Sequence, residues 1–148
     1  MDLKQKVRIL TSSHKANDDR IFHKEAKSIA GAGYDIAIIA PHPADDVIDD
    51  IRIKSVPDAG GKVFGKIFLR PFWVLFAAIR EKADIYHFHD PELIFAGLFL
   101  KLAGKRVVYD VHEYYKQNIL SKRSIPWGIR HFIAYAFDLL ETFASSFF

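Results

Sequence analysis

The chain alternates between short apolar segments and longer stretches in which apolar residues recur at helical spacing. The short segments, each of which we predict to be a β-strand, are KVRIL, YDIAIIAP, DIRIKSV, ADIYHFHD and KRVVYDVHE. The helical stretches are DDRIFHKEAKSIAGAG, GKIFLRPFWVLFAAIREK and PELIFAGLFLKLAG. Apolar strands that alternate with helices of about ten or more residues are typical of a parallel sheet covered on both faces. The pattern therefore predicts a doubly wound α/β domain.

Residues that commonly begin and end helices lie at the boundaries of these segments. In DDRIFHKEAKSIAGAG an aspartate occupies the predicted N-cap, and Gly31 and Gly33 lie at the predicted C-terminus. We interpret the acidic pairs at 45–46 and 49–50 as a solvated loop without a functional role.

Composition limits the classes of protein to which the chain can belong. The 148 residues, half of them hydrophobic, are enough for one compact domain. The net charge of +3 is mild and the basic residues are dispersed, which argues against nucleic acid as the main partner. Without cysteine there can be no disulfide framework and no thiolate metal site. The start of the chain lacks a long apolar segment, so we expect no secretory signal and a cytoplasmic location.

Polar side chains collect where the predicted strands end. In an open parallel sheet, ligands bind outside the carboxyl ends of the strands, where loops lead into the next helices. The polar residues at these ends are Ser12, Ser13, His14, His42, His89, Asp90, His112 and Glu113. Because side chains alternate along a strand, His87 shares a face with His89, and Asp110 shares a face with His112. The sequence therefore predicts a binding site along this edge.

Several of these residues also have a purely structural interpretation. His87 lies inside its strand and is more simply a hydrogen-bonded core histidine than a ligand. Asp90 precedes Pro91 and could cap the following helix, since proline favours a first turn and aspartate favours the position before it. For Asp90 capping and function are equally supported. His112 ends an apolar strand without an obvious turn after it, which favours function.

The segment VFGKIFLRPFWVLFAAIR combines aromatic and basic residues. It is too short to span a membrane, and Lys66, Arg70 and Pro71 interrupt it. We interpret it mainly as a helix packed against the sheet. The alternative is an amphipathic surface that lies on an anionic membrane, and a mixture of the two stays open.

Three motifs carry a resemblance to a known family. They are H-x4-D-R-I-F-x-K-E-A after the first strand, H-D-P-E-L after the fourth and D-V-H-E after the fifth. In this combination the chain resembles the N-terminal half of bacterial glycosyltransferases of the GT-B fold, in the large retaining group that uses nucleotide-sugar donors and is similar to glycosyltransferase family 4. The resemblance spans nearly the whole chain.

The resemblance implies that residues 1–148 form a single Rossmann-like N-terminal domain, with a parallel sheet flanked by helices. In such two-domain enzymes the active site lies between the halves. The N-terminal half holds the acceptor, and the C-terminal half holds the nucleotide diphosphate and most of the donor sugar. No cofactor and no metal is implied beyond the nucleotide-sugar co-substrate. The expected partners are that donor, a glycan or lipid-linked acceptor, a donor-binding domain in the same or a separate chain, and the inner membrane surface.

The same resemblance assigns roles to individual residues. His112 matches a histidine that points towards the donor sugar, where it can hydrogen-bond a hydroxyl and stabilise charge developing at the anomeric centre. The predicted substrate-binding residues are His14, Asp19, Arg20, His89, Asp90 and Glu113. The first three match the loop and helix start that face the acceptor and the diphosphate. His89 and Asp90 match a strand end on the acceptor side.

Two departures from the family pattern limit what the resemblance implies. Many relatives have a glycine pair after the first strand, but TSSHKANDD has none, so we do not expect this loop to bind phosphate through its backbone. The sequence also stops before a donor-binding domain, and we expect this chain alone to be inactive.

Two other functions stay open. One is a non-catalytic module that binds a membrane surface or a partner, and the other is a metal-dependent hydrolase that uses the strand-end histidines and carboxylates.

Overall fold

The computed structural model describes residues 4–58, 68–111, 115–124 and 126–148. Within them a six-stranded sheet has the order β3-β4-β2-β1-β5-β6. Its strands are β1 Lys6–Leu10, β2 Asp35–Pro41, β3 Asp46–Ile48, β4 Ile51–Val56, β5 Ile85–Phe88 and β6 Arg106–Tyr109. All neighbouring pairs are parallel except β3 and β4. The strand order reverses at β1, so the predicted doubly wound α/β fold is confirmed.

One part of the sheet differs from the prediction. Residues 45–50, predicted to be a solvated loop, contain the edge strand β3, which pairs antiparallel with β4. Asp49 and Asp50 form the turn between the strands with φ angles of 49° and 63°, a left-handed conformation that aspartate tolerates better than most residues. The Asp45 carboxylate accepts a hydrogen bond from the backbone of Ser55 at 2.9 Å. These contacts order a segment that has no apolar pattern of its own.

Helices pack on both faces of the sheet. They are the π-helix Asp19–Ala26, α1 Lys27–Gly31, α2 Arg70–Glu81, the 3-10 turn Pro91–Leu93, α3 Ile94–Leu102, α4 Tyr115–Ser121 and α5 Trp127–Ser145. Asp18 is the N-cap of the π-helix, where its carboxylate accepts from the backbone of Arg20 and Ile21. Gly33, with a φ of 91°, follows the end of α1. The predicted punctuation of this helical segment is therefore confirmed.

The core consists of two layers separated by the sheet. Ile9 of β1 lies in the layer that contains Ile21 and Phe22 of the π-helix. Leu10, the next residue, lies in the opposite layer with Val74 of α2 and others from α3. Burying apolar surface on both faces stabilises the sheet by about 25 cal/mol for each Å² removed from water. The alternation of β1 thus fixes which helices cover which face.

The edge of the sheet that carries β5 and β6 is held by close aromatic packing. A Cβ atom at Gly97 of α3 would lie 2.5 Å from the Phe88 ring, so only glycine permits this approach. Phe88 stacks on Tyr109 with 4.7 Å between ring centroids. The Tyr109 hydroxyl donates to Glu141 of α5 at 2.6 Å. These contacts fix the strands that end at the candidate site.

Helix α2 has both a buried and an exposed face. Val74 and Ala78 are fully buried against the sheet, whereas Phe72 is 64% exposed and Phe76 is 49% exposed. The described part of the segment therefore packs against the sheet as predicted, and binding of its exposed face to a membrane stays a prediction. Residues 59–67, including Lys66, lie outside the described residues. Among the described helices, none has the length and apolar character needed to cross a membrane.

Candidate functional site

Asp90, which follows β5, joins the end of that strand to the loop after β1. Its Oδ2 accepts hydrogen bonds from Thr11 Oγ1 at 2.7 Å, from the Ser12 backbone at 2.6 Å and from the Ser13 backbone at 3.1 Å. Its Oδ1 lies 2.8 Å from Nδ1 of His14. Asp90 is completely buried. One carboxylate therefore fixes the backbone of the whole loop, and we call these five residues the Asp90 cluster.

The Asp90 carboxylate is held in its ionised form. Burial alone would raise its pKa, but the contact with His14 and the hydrogen bonds from Thr11 and Ser12 outweigh burial and lower the pKa below its ordinary value. No backbone N–H of the 3-10 turn Pro91–Leu93 donates a capping hydrogen bond to this side chain. The interpretation of Asp90 as a helix cap is thus wrong, because its acceptor atoms already bind the loop after β1.

Glu92 adds a second, differently tuned carboxyl group beside this cluster. Burial and the nearby negative charge of Asp90 raise the pKa of Glu92. Its Oε1 accepts a hydrogen bond from Ser13 Oγ at 3.2 Å. The sequence analysis did not select Glu92, although it lies inside the H-D-P-E-L motif.

A second group of charged side chains lies where β5 and β6 end, next to the π-helix. Glu25 Oε2 is 2.7 Å from Nε2 of His89, and Asp110 Oδ2 is 3.4 Å from the other ring nitrogen, Nδ1. Arg20 bridges the two carboxylates, with contacts of 3.0 Å to Glu25 and 2.5 Å to Asp110. The His87 ring packs against His89 with 4.7 Å between centroids. We call these five residues the His89 cluster.

Charge pairing in the His89 cluster favours ionised carboxylates. Burial opposes ionisation of Glu25 and Asp110, but the contacts of Glu25 with His89 and of Asp110 with Arg20 lower the pKa of each. The hydrogen bond from Arg20 to Asp110 raises the pKa of the guanidinium. Burial, and then the neighbouring His89, lower the pKa of His87 and favour its neutral form.

A cavity of about 480 Å³ opens beside the Asp90 cluster, at the carboxyl ends of β1, β2 and β4. Its lining residues are Ser13, His14, Lys15, Ala16, Asn17, Pro41, His42, Pro43, Asp58 and Arg70. Arg70, at the start of α2, donates to the Ser12 carbonyl at 3.2 Å and pairs with Asp58. The volume is within the range of about 300–1,000 Å³ that is typical of small-molecule sites. Ammonium, hydroxyl, imidazole and amide groups line it together.

Comparison with known proteins places the chain in a family. The sequence profile of Glycosyltransferase Family 4 matches residues 20–143, which is more than half of the chain. The chain belongs to glycosyltransferase family 4. The predicted resemblance to this family is thereby confirmed. No curated protein sequence matches the chain.

Solved structures support the same fold for this family 4 chain. A structure of sucrose-phosphate synthase from Thermosynechococcus elongatus matches with a TM-score of 0.56 and 13% identity over 90% of this chain and 40% of that one. Another structure of sucrose-phosphate synthase from the same organism matches with a TM-score of 0.53 and 10% identity, over 78% of this chain and 68% of that one. At such identities the likeness concerns the fold alone. The chain spans less than half the length of the first of these proteins.

Four of the predicted site residues of the family 4 chain belong to the two clusters, and three do not. His14 and Asp90 belong to the Asp90 cluster, and Arg20 and His89 belong to the His89 cluster. Asp19 is exposed in the first turn of the π-helix. The predicted catalytic residue His112 and its neighbour Glu113 lie outside the described residues, as 112–114 are not described.

Several site residues escaped the sequence analysis. They are Thr11, Lys15, Asn17, Glu25, Arg70 and Glu92. Glu25 and Glu92 lie inside the quoted motifs, so the motifs themselves could have identified them. Arg70 gave no such signal, because its contact with Ser12 depends on how α2 packs beside the loop after β1.

Proposed function

We propose that this chain is the acceptor-side, N-terminal half of a retaining bacterial GT-B glycosyltransferase. The complete enzyme would move a sugar from a nucleotide-sugar donor to a glycan or lipid-linked acceptor in polysaccharide or cell-envelope synthesis. Membership of glycosyltransferase family 4 supports the general activity. The proposal includes that this domain binds the acceptor and that another domain binds the donor nucleotide. It requires no cofactor besides the donor.

The observation that carries the proposal is the loop after β1, which Asp90 fixes beside a cavity. Because Asp90 binds the backbone of Ser12 and Ser13, the following side chains of His14 and Lys15 start from a fixed position at the cavity. A sugar hydroxyl both donates and accepts hydrogen bonds. Groups held in place before binding lose little conformational entropy when they contact such a ligand. The cavity therefore suits a saccharide acceptor.

Arg20 of the His89 cluster would face the donor side of the cleft, and His89 would line its acceptor side. Arg20 is 44% exposed and carries a positive charge at the start of the π-helix, where it can face a diphosphate. His112 follows Asp110 by two residues in the sequence and lies outside the described residues. The proposal assigns His112 to charge stabilisation at the anomeric centre.

Binding of acceptor and donor can be tested separately on the chain. We expect an oligosaccharide acceptor to shift the amide resonances of 13–17 and of His42 in NMR spectra of ¹⁵N-labelled protein. A nucleotide sugar should cause weak shifts or none. Lys15→Ala should weaken saccharide binding several-fold, whereas Lys122→Ala, at an exposed residue just after α4, should not. Tight nucleotide-sugar binding at this cavity, or saccharide shifts on another face, would contradict the assignment.

The catalytic assignment needs the enzyme completed with a donor-binding domain. Removing one group that stabilises transition-state charge commonly lowers turnover by about 10²–10³. We therefore expect His112→Ala to reduce kcat to this extent while circular dichroism shows an unchanged fold. Wild-type turnover in that folded variant would remove His112 from the mechanism.

A second candidate function, binding to a membrane surface, rests on the exposed face of α2. Phe72, Phe76 and Ile79 recur at helical spacing on this face, and the Arg80 guanidinium lies 4.2 Å from the centre of the Phe76 ring. Aromatic and basic residues together favour the interface of an anionic membrane. Flotation with vesicles that contain phosphatidylglycerol tests it. We expect Phe72→Ser with Phe76→Ser to remove binding, and equal flotation of this double variant would exclude the surface.

A further inference from the structure

Three side chains of the His89 cluster bring their ligand atoms together in a way that suits a metal ion. Glu25 of the π-helix, His87 of β5 and His89 after β5 each offer one atom, and these atoms lie within 4.8 Å of one another. We propose that Glu25, His87 and His89 form a binding site for Zn²⁺. The proposal rests on these contacts; it uses residues that the proposed function places at the cleft, but it does not depend on transferase activity.

The local fold explains why these three residues meet. His87 and His89 are separated by one residue, so strand alternation places both imidazoles on the same face of the sheet. The π-helix packs on that face through Ile21, Phe22 and Ala26, which belong to the core layer there. Glu25 precedes Ala26 and reaches the two rings. Short stretches of π-helix occur often at functional sites, because the extra residue per turn redirects side chains.

Two of the three separations between ligand atoms lie near the value that a tetrahedral ion requires. Ligand bonds of about 2.0–2.2 Å to zinc imply about 3.4 Å between two ligand atoms in a tetrahedron. Glu25 Oε2 is 2.7 Å from His89 Nε2 and 4.0 Å from His87 Nδ1. The two observed separations lie on either side of the required one. If Oε2 moved by less than about 1 Å, away from His89 and towards His87, both separations would come close to the required value. A glutamate side chain can make a movement of this size.

The surrounding charges complete the arrangement expected of a zinc site. Histidine ligands of metals commonly direct their second ring nitrogen towards a carboxylate, which fixes the tautomer and strengthens the ligand. Asp110 Oδ2 lies 3.4 Å from Nδ1 of His89 and can serve as the carboxylate that orients this histidine. Arg20 in turn holds both Asp110 and Glu25. Two carboxylates against one guanidinium leave a net negative charge, which favours a divalent cation.

Burial and access also fit this chemistry. The side chains of Glu25 and His87 are each 16% exposed, and that of His89 is 1% exposed. The site is therefore largely shielded from bulk water. Three protein ligands leave a fourth position for water, as in zinc sites that bind an exchangeable ligand.

The test is a titration of the purified chain with Co²⁺, which reports its coordination by visible absorption. After removal of metals with a chelator, we expect one equivalent of Co²⁺ to produce the absorption of a four-coordinate ion with nitrogen and oxygen ligands. Zn²⁺ should then displace it. Glu25→Gln and His87→Asn should each weaken binding at least tenfold. His23→Ala, which removes an exposed histidine of the same π-helix, should leave it unchanged.

Further measurements separate loss of a ligand from loss of the fold. Thermal melting of the metal-free variants shows whether they fold. Zn²⁺ should raise the Tm of the wild type and of His23→Ala, but not that of a folded His87→Asn. Asp110→Asn should weaken binding about tenfold, as expected for a residue that acts through His89. The proposal is overturned if the wild type binds no Co²⁺, or if folded Glu25→Gln and His87→Asn bind it as tightly as the wild type.

Discussion

Two buried charges are associated with β1, one with partners at the amino end of the sheet and one at its carboxyl end, and their surroundings differ. Arg8, in the middle of β1, is 1% exposed and its guanidinium contacts Glu81 at 2.9 Å and the Asp35 carbonyl at 2.8 Å. Asp90 is equally buried at the carboxyl end, but its partners include His14, which lies at a cavity. Arg8 joins the end of α2 to the start of β2, whereas Asp90 positions a loop.

The difference shows that a buried charge is not in itself a mark of function. A cavity of about 490 Å³ borders Arg52 and Glu81 near Arg8, but Arg52 is already paired with Asp35 at 2.9 Å and with Glu81 at 3.6 Å. The charges in that region satisfy one another across four elements, α2, β1, β2 and β4. At the Asp90 end, the same kind of burial leaves side chains of the fixed loop directed to an open space. The contacts of Arg8 are therefore structural, and the proposed binding role falls on the Asp90 cluster.

The largest effect should come from breaking the Arg8 end. Arg8→Met removes a buried guanidinium that donates to Glu81 and to the carbonyls of Val7 and Asp35. At about 1.5–3 kcal/mol for each hydrogen bond to a charged group, we expect a loss of about 3 kcal/mol or more. Urea unfolding of the folded fraction measures the loss. Arg52→Ala, which removes a half-exposed partner of the same carboxylates, should cost less than about 1 kcal/mol. Equal small losses in both variants would contradict a structural role for Arg8.

A substitution of Asp90 should lower the free energy of unfolding less than Arg8→Met does, but it should affect ligand binding more. Asp90→Asn keeps the size of the side chain but removes the charge that accepts from Thr11, Ser12 and Ser13. Hydrogen bonds to a charged group contribute about 1.5–3 kcal/mol, so we expect a loss of this order in the free energy of unfolding. Saccharide binding, followed by NMR, should disappear because the loop is no longer fixed. Retained binding in a folded Asp90→Asn protein would show that the cluster does not position the loop.

Lowering the pH should reduce the contribution of the Asp90 carboxylate to the free energy of unfolding. The pKa of Asp90 is lower in the folded protein than its unfolded value of about 3.9, so its contribution is fully present well above that pH. The contribution is lost as the pH falls through the lower, folded pKa. The stability difference between wild type and Asp90→Asn should therefore be constant near neutrality and shrink below about pH 4. Urea titrations at several pH values measure it, and a constant difference down to pH 3 would contradict the lowered pKa.

The fold was predictable from local patterns, and its exceptions have local causes. β1, β2, β4, β5 and β6 are apolar segments that the alternation rule identifies directly. β3 escaped because it has three residues, and its order depends on a turn at Asp49 and Asp50 and on pairing with β4. α4 likewise lay in no predicted element. Periodicity needs several residues to be visible, so very short elements are ordered by contacts that the sequence does not display.

The site was predictable only in its location. The rule for parallel sheets placed His14, His89 and Asp90 at one edge, and the structure brings them there. The contacts between them join residues more than seventy positions apart, such as Thr11 and Asp90, and no local pattern encodes such a pair. The choice between a helix cap and a loop anchor for Asp90 therefore required the tertiary structure.

The smallest effect should come from Glu92, beside Asp90 but with the opposite pKa shift. Burial and the charge of Asp90 raise the pKa of Glu92, so the folded state binds its proton more tightly than the unfolded state does. Glu92 therefore favours folding at low pH, and this contribution is lost as the pH rises through the raised folded pKa. Glu92→Gln keeps the shape of the protonated group, and at pH 7 we expect it to match or exceed the wild type by up to about 1 kcal/mol. The gain should vanish near pH 4. A loss at pH 7 as large as that of Asp90→Asn would mean that Glu92 holds the loop as an ionised carboxylate too, and the two carboxyl groups would then act as one unit.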